Sequence, residues 1–416
     1  MRYLYILILF CSSLQAQVNN IRNVTFANIK KMDVAFLNKC IQTQSHQVLD
    51  SVTLKKDIAF LGRLNGIANV TYAVTEIEKN LYDVTYTIVE SFSLIPTMSL
   101  WTTENSIAYR LGVYDFNFLG KTNTLGGFYQ SNKNDSYGIV FSSPYFFSNK
   151  VGLEVNAQSL STEEPIFLST GEATYDYRNS SIEVLGLYQY DFKNSFKLGV
   201  NIFDEDYDYI KGAKDRDVPT SLAIKKKMLK LIYNFNDLEY DFYLIEGFKS
   251  KFQFQYVYSD NDFQKKFLIA WNDLMYFKKV GHKGNWASRL RVGMASNTDT
   301  PFAPFSVDNN LNIRGVGNII DRGTGTIVLN TEFRKTLFEK KWFVLQGNAF
   351  IDSGTWRKAG GDLGDFVDAN NVRIYSGLGL RFIHKTIFDA IFRIDYGFGL
   401  SKNGTQGLVI GVGQYF

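Results

Sequence analysis

The most chemically informative residues in this sequence are one arginine and two acids. Arg314 lies in residues 311–317, within a Gly- and Asn-rich connection that covers residues 297–325. A guanidinium is costly to hold where water is scarce unless an acid meets it. Glu332 and Asp352 follow in two strand-like segments and are the candidate partners. The pattern predicts either a buried arginine–acid cluster or, as the alternative, a surface turn with a solvated Arg314.

Strand alternation places both acids on polar faces. Successive side chains of a strand point to opposite sides, so each segment has an apolar and a polar face. The polar faces carry Asn330, Glu332 and Arg334 in the first segment, and Gln346, Asn348 and Asp352 in the second. If these faces line the inside of a closed sheet, an inward loop would deliver Arg314 between Glu332 and Asp352.

Most of the chain after Pro96 alternates with period two, which indicates β-strands. The clearest run covers residues 251–258, where four aromatic residues alternate with mostly polar ones. Runs of about ten residues with one apolar, aromatic-rich face are the signature of a transmembrane β-barrel. A large soluble β-sandwich or barrel is the alternative, because each run is weak by itself.

The strand candidates favour a 16-stranded antiparallel barrel, because single-chain bacterial barrels have an even number of strands. The weakest candidate, residues 167–178, follows Pro165 and carries three charged residues, so we assign it to a loop or a strand extension. Long polar connections are placed outside the cell and short turns in the periplasm. The long connections are residues 207–220, 297–325 and 358–371, and the short turns include residues 191–194 and 384–386.

Residues 17–91 have the pattern of a small α+β domain with the order strand, helix, helix, strand, strand. The second helix is predicted over residues 51–64, with Gly66 just past its end. Two strands, residues 68–74 and 81–89, follow and are joined by a polar turn. The barrel is then expected to occupy residues 92–416.

Residues 1–16 resemble a secretory signal peptide, with a positive start, a short apolar core and small residues before the cleavage point. We expect cleavage after Ala16 rather than lipidation of Cys11, because the bulky Phe10 precedes that cysteine. An export signal implies the cell envelope. The remaining thiol, Cys40, is expected to be a small core residue.

Composition and charge exclude several function classes. Aromatic residues make up 16% of the chain, with 35 Phe and 25 Tyr, and charged residues 21%. No apolar run reaches the roughly 18 residues that a transmembrane helix requires. The net charge of +4 is too small and dispersed to indicate nucleic acid. His46, His282 and His384 have no metal-ligand spacing, so we expect no metal, no cofactor and no enzyme activity.

The end of the chain resembles the signal by which outer-membrane barrels are recognised for insertion. Leu408, Ile410 and Val412 alternate, and Phe416 is the final aromatic residue. These four residues are the candidate insertion signal.

Together with Arg314, this ending resembles the BamA superfamily, whose members have periplasmic POTRA domains and a 16-stranded barrel. Ile313, Arg314 and Gly315 resemble the Val-Arg-Gly-aromatic motif of its inward loop. The segments around Glu332 and Asp352 resemble the strands that supply the acids meeting that arginine. Further similar segments are residues 117–120, 143–146, 377–382 and 393–397.

The resemblance covers nearly the whole mature chain and implies one POTRA-like domain before a barrel in the bacterial outer membrane. Two features depart from the family pattern. Val316 replaces the aromatic residue of the motif, so the loop is expected to pack differently. Only one POTRA-like domain fits before the barrel, which points to a short accessory member rather than the essential assembly factor.

The resemblance further implies insertion, assembly or translocation of envelope proteins through a weak seam between the first and last strands. That seam would join residues 96–101 to residues 405–416, where glycines reduce side-chain packing. The alternative is a docking subunit or pore without insertase activity. The expected partners are the outer-membrane bilayer, periplasmic or outer-membrane proteins bound by the POTRA-like domain, and client polypeptides.

The partner site expected in the small domain is the edge of its sheet. By resemblance, residues 68–74 form that edge, with Val70, Thr71 and Tyr72 at its centre and no blocking Pro or Lys. The unpaired backbone groups of an edge strand can bind a partner strand. The alternative is that this edge binds no partner strand.

Overall fold

A computed structural model describes residues 19–102, 107–132, 134–241, 243–261, 264–307, 312–316, 321–385, 391–401 and 404–416. The predicted signal peptide lies outside these residues. The chain divides into two units: Met1–Ser91 with Leu119–Thr122, and Phe92–Phe118 with Asn123–Phe416. No helix among the described residues is long and apolar enough to cross a membrane.

The first unit contains a three-stranded sheet and two helices in the predicted order. Its elements are β1 (Asn20–Ala27), α1 (Val34–Cys40), α2 (Ser51–Leu61), β2 (Ile67–Glu78) and β3 (Leu81–Glu90). The strand order is β1-β3-β2, with β1 parallel and β2 antiparallel to β3. β2 is therefore an edge of this sheet, as expected for residues 68–74.

Aspartate side chains fix the starts of both helices. Asp33 accepts a hydrogen bond from the Phe36 amide at 2.7 Å, and Asp50 accepts from the Val52 and Thr53 amides at 2.9 and 3.0 Å. These bonds satisfy amides that have no partner within the helix. α2 ends at Leu61, earlier than predicted, because Gly62 forms its cap.

A buried carboxylate connects the helices to the sheet of the first unit. Asp57 on α2 is 1% exposed and accepts from the Gln42 and Thr43 amides at 2.7 and 3.0 Å. It also accepts from the Tyr86 hydroxyl of β3 at 2.9 Å. These three donors compensate for the loss of water around the charge.

The second unit is a closed antiparallel barrel of 16 strands, which confirms the predicted fold class. The strands are β4 (Leu94–Thr102), β5 (Ile107–Phe118), β6 (Asn123–Asn132), β7 (Asn134–Ser143), β8 (Val151–Leu168), β9 (Gly171–Gln189), β10 (Asn194–Gly212), β11 (Ser221–Asp241), β12 (Leu244–Ser259), β13 (Lys266–Val280), β14 (Gly284–Ala295), β17 (Gly325–Glu339), β18 (Phe343–Arg357), β19 (Val372–His384), β20 (Ile391–Gly399) and β21 (Gln406–Val412). Two short strands outside the barrel, β15 (Phe305–Val307) and β16 (Asp321–Gly323), pair with each other between β14 and β17.

Neighbouring strands pair along most of their length except at the contact that closes the barrel. β20 and β21 pair continuously from Phe392 with Val412 to Phe398 with Gln406. β21 and β4 share a single registered pair among the described residues, Ile410 with Leu100. The contact between the first and last strands, which we call the seam, therefore has the shortest registered pairing in the described part of the barrel wall.

The barrel wall is apolar outside and polar inside, the reverse of a soluble barrel. On β10, Leu198, Val200 and Ile202 point outward and are each more than half exposed. Inside, Lys230 Nζ pairs with Glu183 Oε2 at 2.7 Å, and other Lys–Glu pairs lie nearby. Exposed apolar side chains on one face and paired charges on the other suit a wall between lipid and an aqueous interior. This arrangement favours the membrane barrel over the soluble alternative.

Several strands are longer than the sequence pattern predicts. β8, β9, β10 and β11 contain 18, 19, 19 and 21 residues. Residues 167–178 form the paired ends of β8 and β9 and the turn between them. The prediction of a strand extension is therefore confirmed, and the alternative prediction of a loop is wrong. The connection predicted over residues 207–220 is also wrong in its first part, because β10 continues to Gly212.

We predict that Cys40 is unreactive in the folded protein. Its side chain is buried, and burial raises the pKa of the thiol to about 12, so the reactive thiolate is scarce at neutral pH. A maleimide at pH 7 to 8 should label Cys40 only after denaturation. Rapid labelling of the native protein would contradict the described packing of α1.

Candidate functional site

The inward loop observed between β15 and β16 presents residues 312–316 to the barrel interior. Ile313, Arg314 and Val316 are each 0% exposed. Ile313 and Val316 pack with Val307, Trp356 and Tyr375 in one apolar cluster. Val316 therefore fills an apolar position in the inward loop.

Arg314 lies between the two acids that the alternation pattern singled out. Its Nε and Nη2 donate to Asp352 Oδ2 and Oδ1 at 2.8 and 2.9 Å, and its Nη1 donates to Glu332. The Arg314 amide also donates to Asp352 Oδ2 at 2.9 Å. All three side chains are fully buried, so the surface-turn alternative does not describe Arg314.

Three further charged side chains extend this cluster. Arg334 Nε donates to Glu332, and Arg381 Nη1 donates to Asp395 Oδ1 at 2.7 Å. Arg381 Nη2 lies 3.6 Å from Glu332 Oε2, and Arg314 Nη1 lies 3.9 Å from Asp395 Oδ2. Glu332 therefore contacts three guanidiniums, and strands β17 to β20 each contribute a charge.

Two glycines allow the loop to approach the wall. Gly315 has a φ of +94°, which side chains rarely tolerate, and a Cβ there would lie 2.5 Å from the Gly397 carbonyl carbon. Gly397 on β20 is equally restricted, because its Cβ would lie 2.5 Å from the Arg314 carbonyl oxygen. The loop and β20 thus make a backbone-to-backbone contact.

A hydroxyl pair holds the end of the loop. Thr405 Oγ1 donates to the Val316 carbonyl at 2.9 Å and lies 2.7 Å from the Tyr375 hydroxyl. Tyr375 is on β19, and Thr405 immediately precedes β21. The loop is therefore connected to the strand that forms one side of the seam.

Aromatic rings cover the guanidinium of Arg314 from two directions. Its Cζ lies 3.8 Å from the ring centroid of Phe350 and 4.6 Å from that of Tyr415. Such contacts add cation–π attraction to the ion pairs.

Residues 413–416 turn into the barrel instead of continuing β21. Gly413 has a φ of +88°, and its amide donates to the Ile391 carbonyl at 2.7 Å. Gln414 accepts from Arg381 Nε at 3.3 Å, and the Phe416 ring lies 6.5 Å from that of Phe277. We call this segment the inner tail.

The four residues of the candidate insertion signal are divided between β21 and the inner tail. Leu408 is 51% exposed, and Ile410 and Val412 are partly exposed on the same strand, β21. Phe416 does not share their face, because the chain leaves the strand after Val412. The role of the four residues in insertion stays a prediction.

The edge residues of the first unit lie on β2. Val70 is 7% exposed and contributes to the core, Thr71 is exposed, and Tyr72 is 36% exposed. β2 pairs only with β3 among the described residues, so its other side has no strand partner there. Partner binding at this edge stays a prediction.

Sequence reasoning missed several members of the cluster. Arg334 was placed on the polar face with Glu332 but was given no role, and Arg381, Asp395, Phe350 and Tyr415 were not assigned. A strand-by-strand search for charges at inward positions could have identified Arg381 and Asp395. The inner tail gives no such signal, because its turn depends on Gly413. No group of three or more His, Cys, Asp or Glu residues in the described parts could hold a metal ion.

We predict that Arg314→Ala destabilises the barrel much more than Arg178→Ala. The first change leaves buried carboxylates without their cation and should cost about 3–5 kcal/mol. Arg178 lies on β9 of the same barrel, and its exposed ion pair with Asp208, at 2.6 Å, should contribute little. The temperature at which the folded barrel loses its fast gel migration measures both effects. Equal losses in the two variants would contradict the described cluster.

Comparison with known proteins gives matches at the level of structure. No family model and no curated protein matches the sequence. The crystal structure of BamA from Haemophilus ducreyi lacking POTRA domains 1–3 aligns with a TM-score of 0.59 and 14% identity, over 94% of this chain and 84% of that chain.

Two further solved structures are similar. CdiB from Acinetobacter baumannii aligns with a TM-score of 0.62 and 12% identity, over 95% of this chain and 74% of that chain. CdiB from Escherichia coli aligns with a TM-score of 0.65 and 10% identity, over 95% and 76%. The chain therefore has the fold of the BamA and CdiB structures, and the structural resemblance expected from the sequence is confirmed.

Proposed function

We propose that this protein is an outer-membrane barrel of the BamA superfamily that assists assembly or translocation of envelope polypeptides through its seam. The observation that carries this proposal is the single registered pair between β4 and β21. The structural similarity to BamA and CdiB supports a barrel of this general kind.

The seam can open at lower cost than any other strand contact in the described wall. Separating two strands breaks the backbone hydrogen bonds along their paired residues. Here β4 and β21 share one registered pair in the described chain, so few hydrogen bonds would break. β21 has seven residues and contains Gly407 and Gly411, which add no packing of their own. Opening would expose two strand edges that can pair with an incoming strand.

The outward apolar face supports placement of the barrel in a lipid bilayer. The likeness to outer-membrane proteins supports the bacterial outer membrane as the location. In this proposal the small α+β unit acts as a periplasmic POTRA-like domain that binds a partner or client. A docking subunit or pore without insertase activity is the competing proposal.

A disulfide across the seam should abolish activity if the seam opens. Leu100 and Ile410 are registered partners, so the pair Leu100→Cys and Ile410→Cys should crosslink under oxidant. Cells that depend on the protein should then contain smaller amounts of assembled outer-membrane proteins, and reductant should restore those amounts. Cys40 is buried and should not compete for the new thiols.

The matched control places a disulfide in the neighbouring continuous ladder. Leu378 and Tyr396 are registered partners on β19 and β20 and are both exposed. Leu378→Cys with Tyr396→Cys should crosslink without loss of activity. Full activity of the locked seam would instead favour the docking or pore proposal.

We predict that the β2 edge binds a partner strand. Thr71→Pro introduces a residue that is poorly compatible with strand pairing and should reduce recovery of periplasmic partners from envelope membranes. Thr25→Pro is the matched control, because Thr25 is exposed on β1, the other edge of the same sheet. Partner recovery unchanged by Thr71→Pro would exclude the β2 edge, and selective loss with Thr25→Pro would move the site to β1.

A further inference from the structure

A groove on the outer face of the barrel runs along β18. Its volume is about 540 Å³, and the small residues Gly347 and Ala349 lie along it. Larger apolar side chains from β17 and β19 flank the groove, among them Phe333, Leu337, Leu378 and Leu380. In a bilayer, the outer face of a barrel wall meets lipid hydrocarbon chains, so such a chain is the natural occupant of an apolar groove.

Strand register explains why the groove forms at this place. Gly347 pairs with Lys335 of β17, and Ala349 pairs with Phe333. On the other side, both small residues pair with leucines of β19. A Cβ on Gly347 would lie 3.1 Å from Leu337 Cδ1, so a larger residue there would begin to fill the groove. The depression therefore depends on two small residues between rows of large ones.

Lys335 is the one charged side chain among the described residues that line the groove. It is exposed on the outer face with Leu337, whereas its neighbour Arg334 is buried inside the barrel. It forms no ion pair within the described residues. Its registered partners are Gly284 on β14 and Gly347 on β18, and neither has a side chain that could shield the ammonium group. An apolar groove and an unpaired positive charge therefore lie side by side.

Lys335 lies near the end of the wall that carries the short turns. β17 ends at Glu339, and the turn to β18 covers residues 340–342. Trp286 and Trp342 are both exposed at this end. Tryptophan at the ends of a membrane wall marks the level of the lipid headgroups. A lysine side chain extended along the wall can therefore bring its ammonium group to that level.

Positive charge dominates the chain around this end of the groove. Residues 278–286 and 335–347, which contain the two short turns, have six lysines and one acid. The lysines are Lys278, Lys279, Lys283, Lys335, Lys340 and Lys341. The acid, Glu339, is paired with Lys385, which lies outside both segments. The local excess of positive charge therefore attracts anions to the mouth of the groove.

We propose that the groove binds an anionic phospholipid, with an acyl chain along Gly347 and Ala349 and the headgroup phosphate at Lys335. The proposal rests on the placement of the barrel in a bilayer, which is part of the proposed function. An ammonium group binds a phosphate as a compact charge, and the turn lysines attract a headgroup that carries a net negative charge.

Charge also distinguishes an anionic phospholipid from other occupants of the groove. A zwitterionic phospholipid has the same acyl chains and phosphate, but its own cation offsets the attraction to the lysines. A second copy of this chain, docked by the same face, would bring two groups of lysines together, and like charges repel. The charge at this end of the groove therefore favours an anionic lipid.

Native mass spectrometry of the purified full chain in detergent tests this proposal. The probes are phosphatidylglycerol, which is anionic, and phosphatidylcholine, which is zwitterionic, with identical acyl chains. The unaltered chain should retain phosphatidylglycerol preferentially. Lys335→Gln should weaken phosphatidylglycerol binding by about fivefold, the factor expected for one basic residue at an anionic membrane surface. Ala349→Leu should weaken binding of both lipids, because the larger side chain fills the groove.

Lys227→Gln is the matched control for the loss of charge. Lys227 is exposed on β11, two residues from the outward Leu229, and it forms no ion pair within the described residues. This change should leave phosphatidylglycerol binding unchanged. All three altered side chains are exposed, so the variants leave the barrel interior intact.

Equal binding of the two lipids by the unaltered chain would overturn the proposal. So would phosphatidylglycerol binding that neither Lys335→Gln nor Ala349→Leu weakens, or an equal loss with Lys227→Gln. A dimer that Ala349→Leu abolishes, without any lipid preference, would assign the groove to a second copy instead. Retention of neither lipid would contradict the bilayer placement as well, whereas the other outcomes would leave the proposed function untouched.

Discussion

The buried guanidinium of Arg314 is the constraint on which the barrel interior depends. A charge without water requires partners in fixed positions, and β17 and β18 supply Glu332 and Asp352 from adjacent strands. A slip of one residue in either strand would turn its acid toward the outer face. The arginine therefore stabilises both the inward loop and the register of the strands that receive it.

The seam, unlike the strands around Arg314, has few registered contacts. β17 and β18 pair over most of their length and carry the buried acids, whereas β4 and β21 share one registered pair in the described chain. The inward loop reaches this weak region, since Val316 is hydrogen-bonded to Thr405 just before β21. A rigid cluster beside a weak closure allows the seam to open while the rest of the wall keeps its register. The proposed function requires a seam that opens and a remaining wall that keeps its register.

Much of this arrangement could be predicted from the sequence because it follows from local rules. Alternation placed Glu332 and Asp352 on polar faces, and a buried arginine needs acids, so their meeting with Arg314 could be proposed. A solvated surface turn remained the alternative until the family resemblance was added. The order of the small domain came from helix and strand periodicity. The inner tail did not follow, because alternation up to Val412 gives no sign that Gly413 reverses the chain. Strand ends were missed where polar residues continue a ladder beyond the apolar belt, as in β8 to β11.

Hydrogen–deuterium exchange of the protein in lipid bilayers tests the central claim most directly. Backbone amides exchange when local opening breaks their hydrogen bonds, so the rate reports the stability of each strand contact. We expect peptides from β4 and β21 to exchange much faster than peptides from β17 and β18. Equal protection of all four strands would show that the seam is as stable as the rest of the wall and would contradict the account.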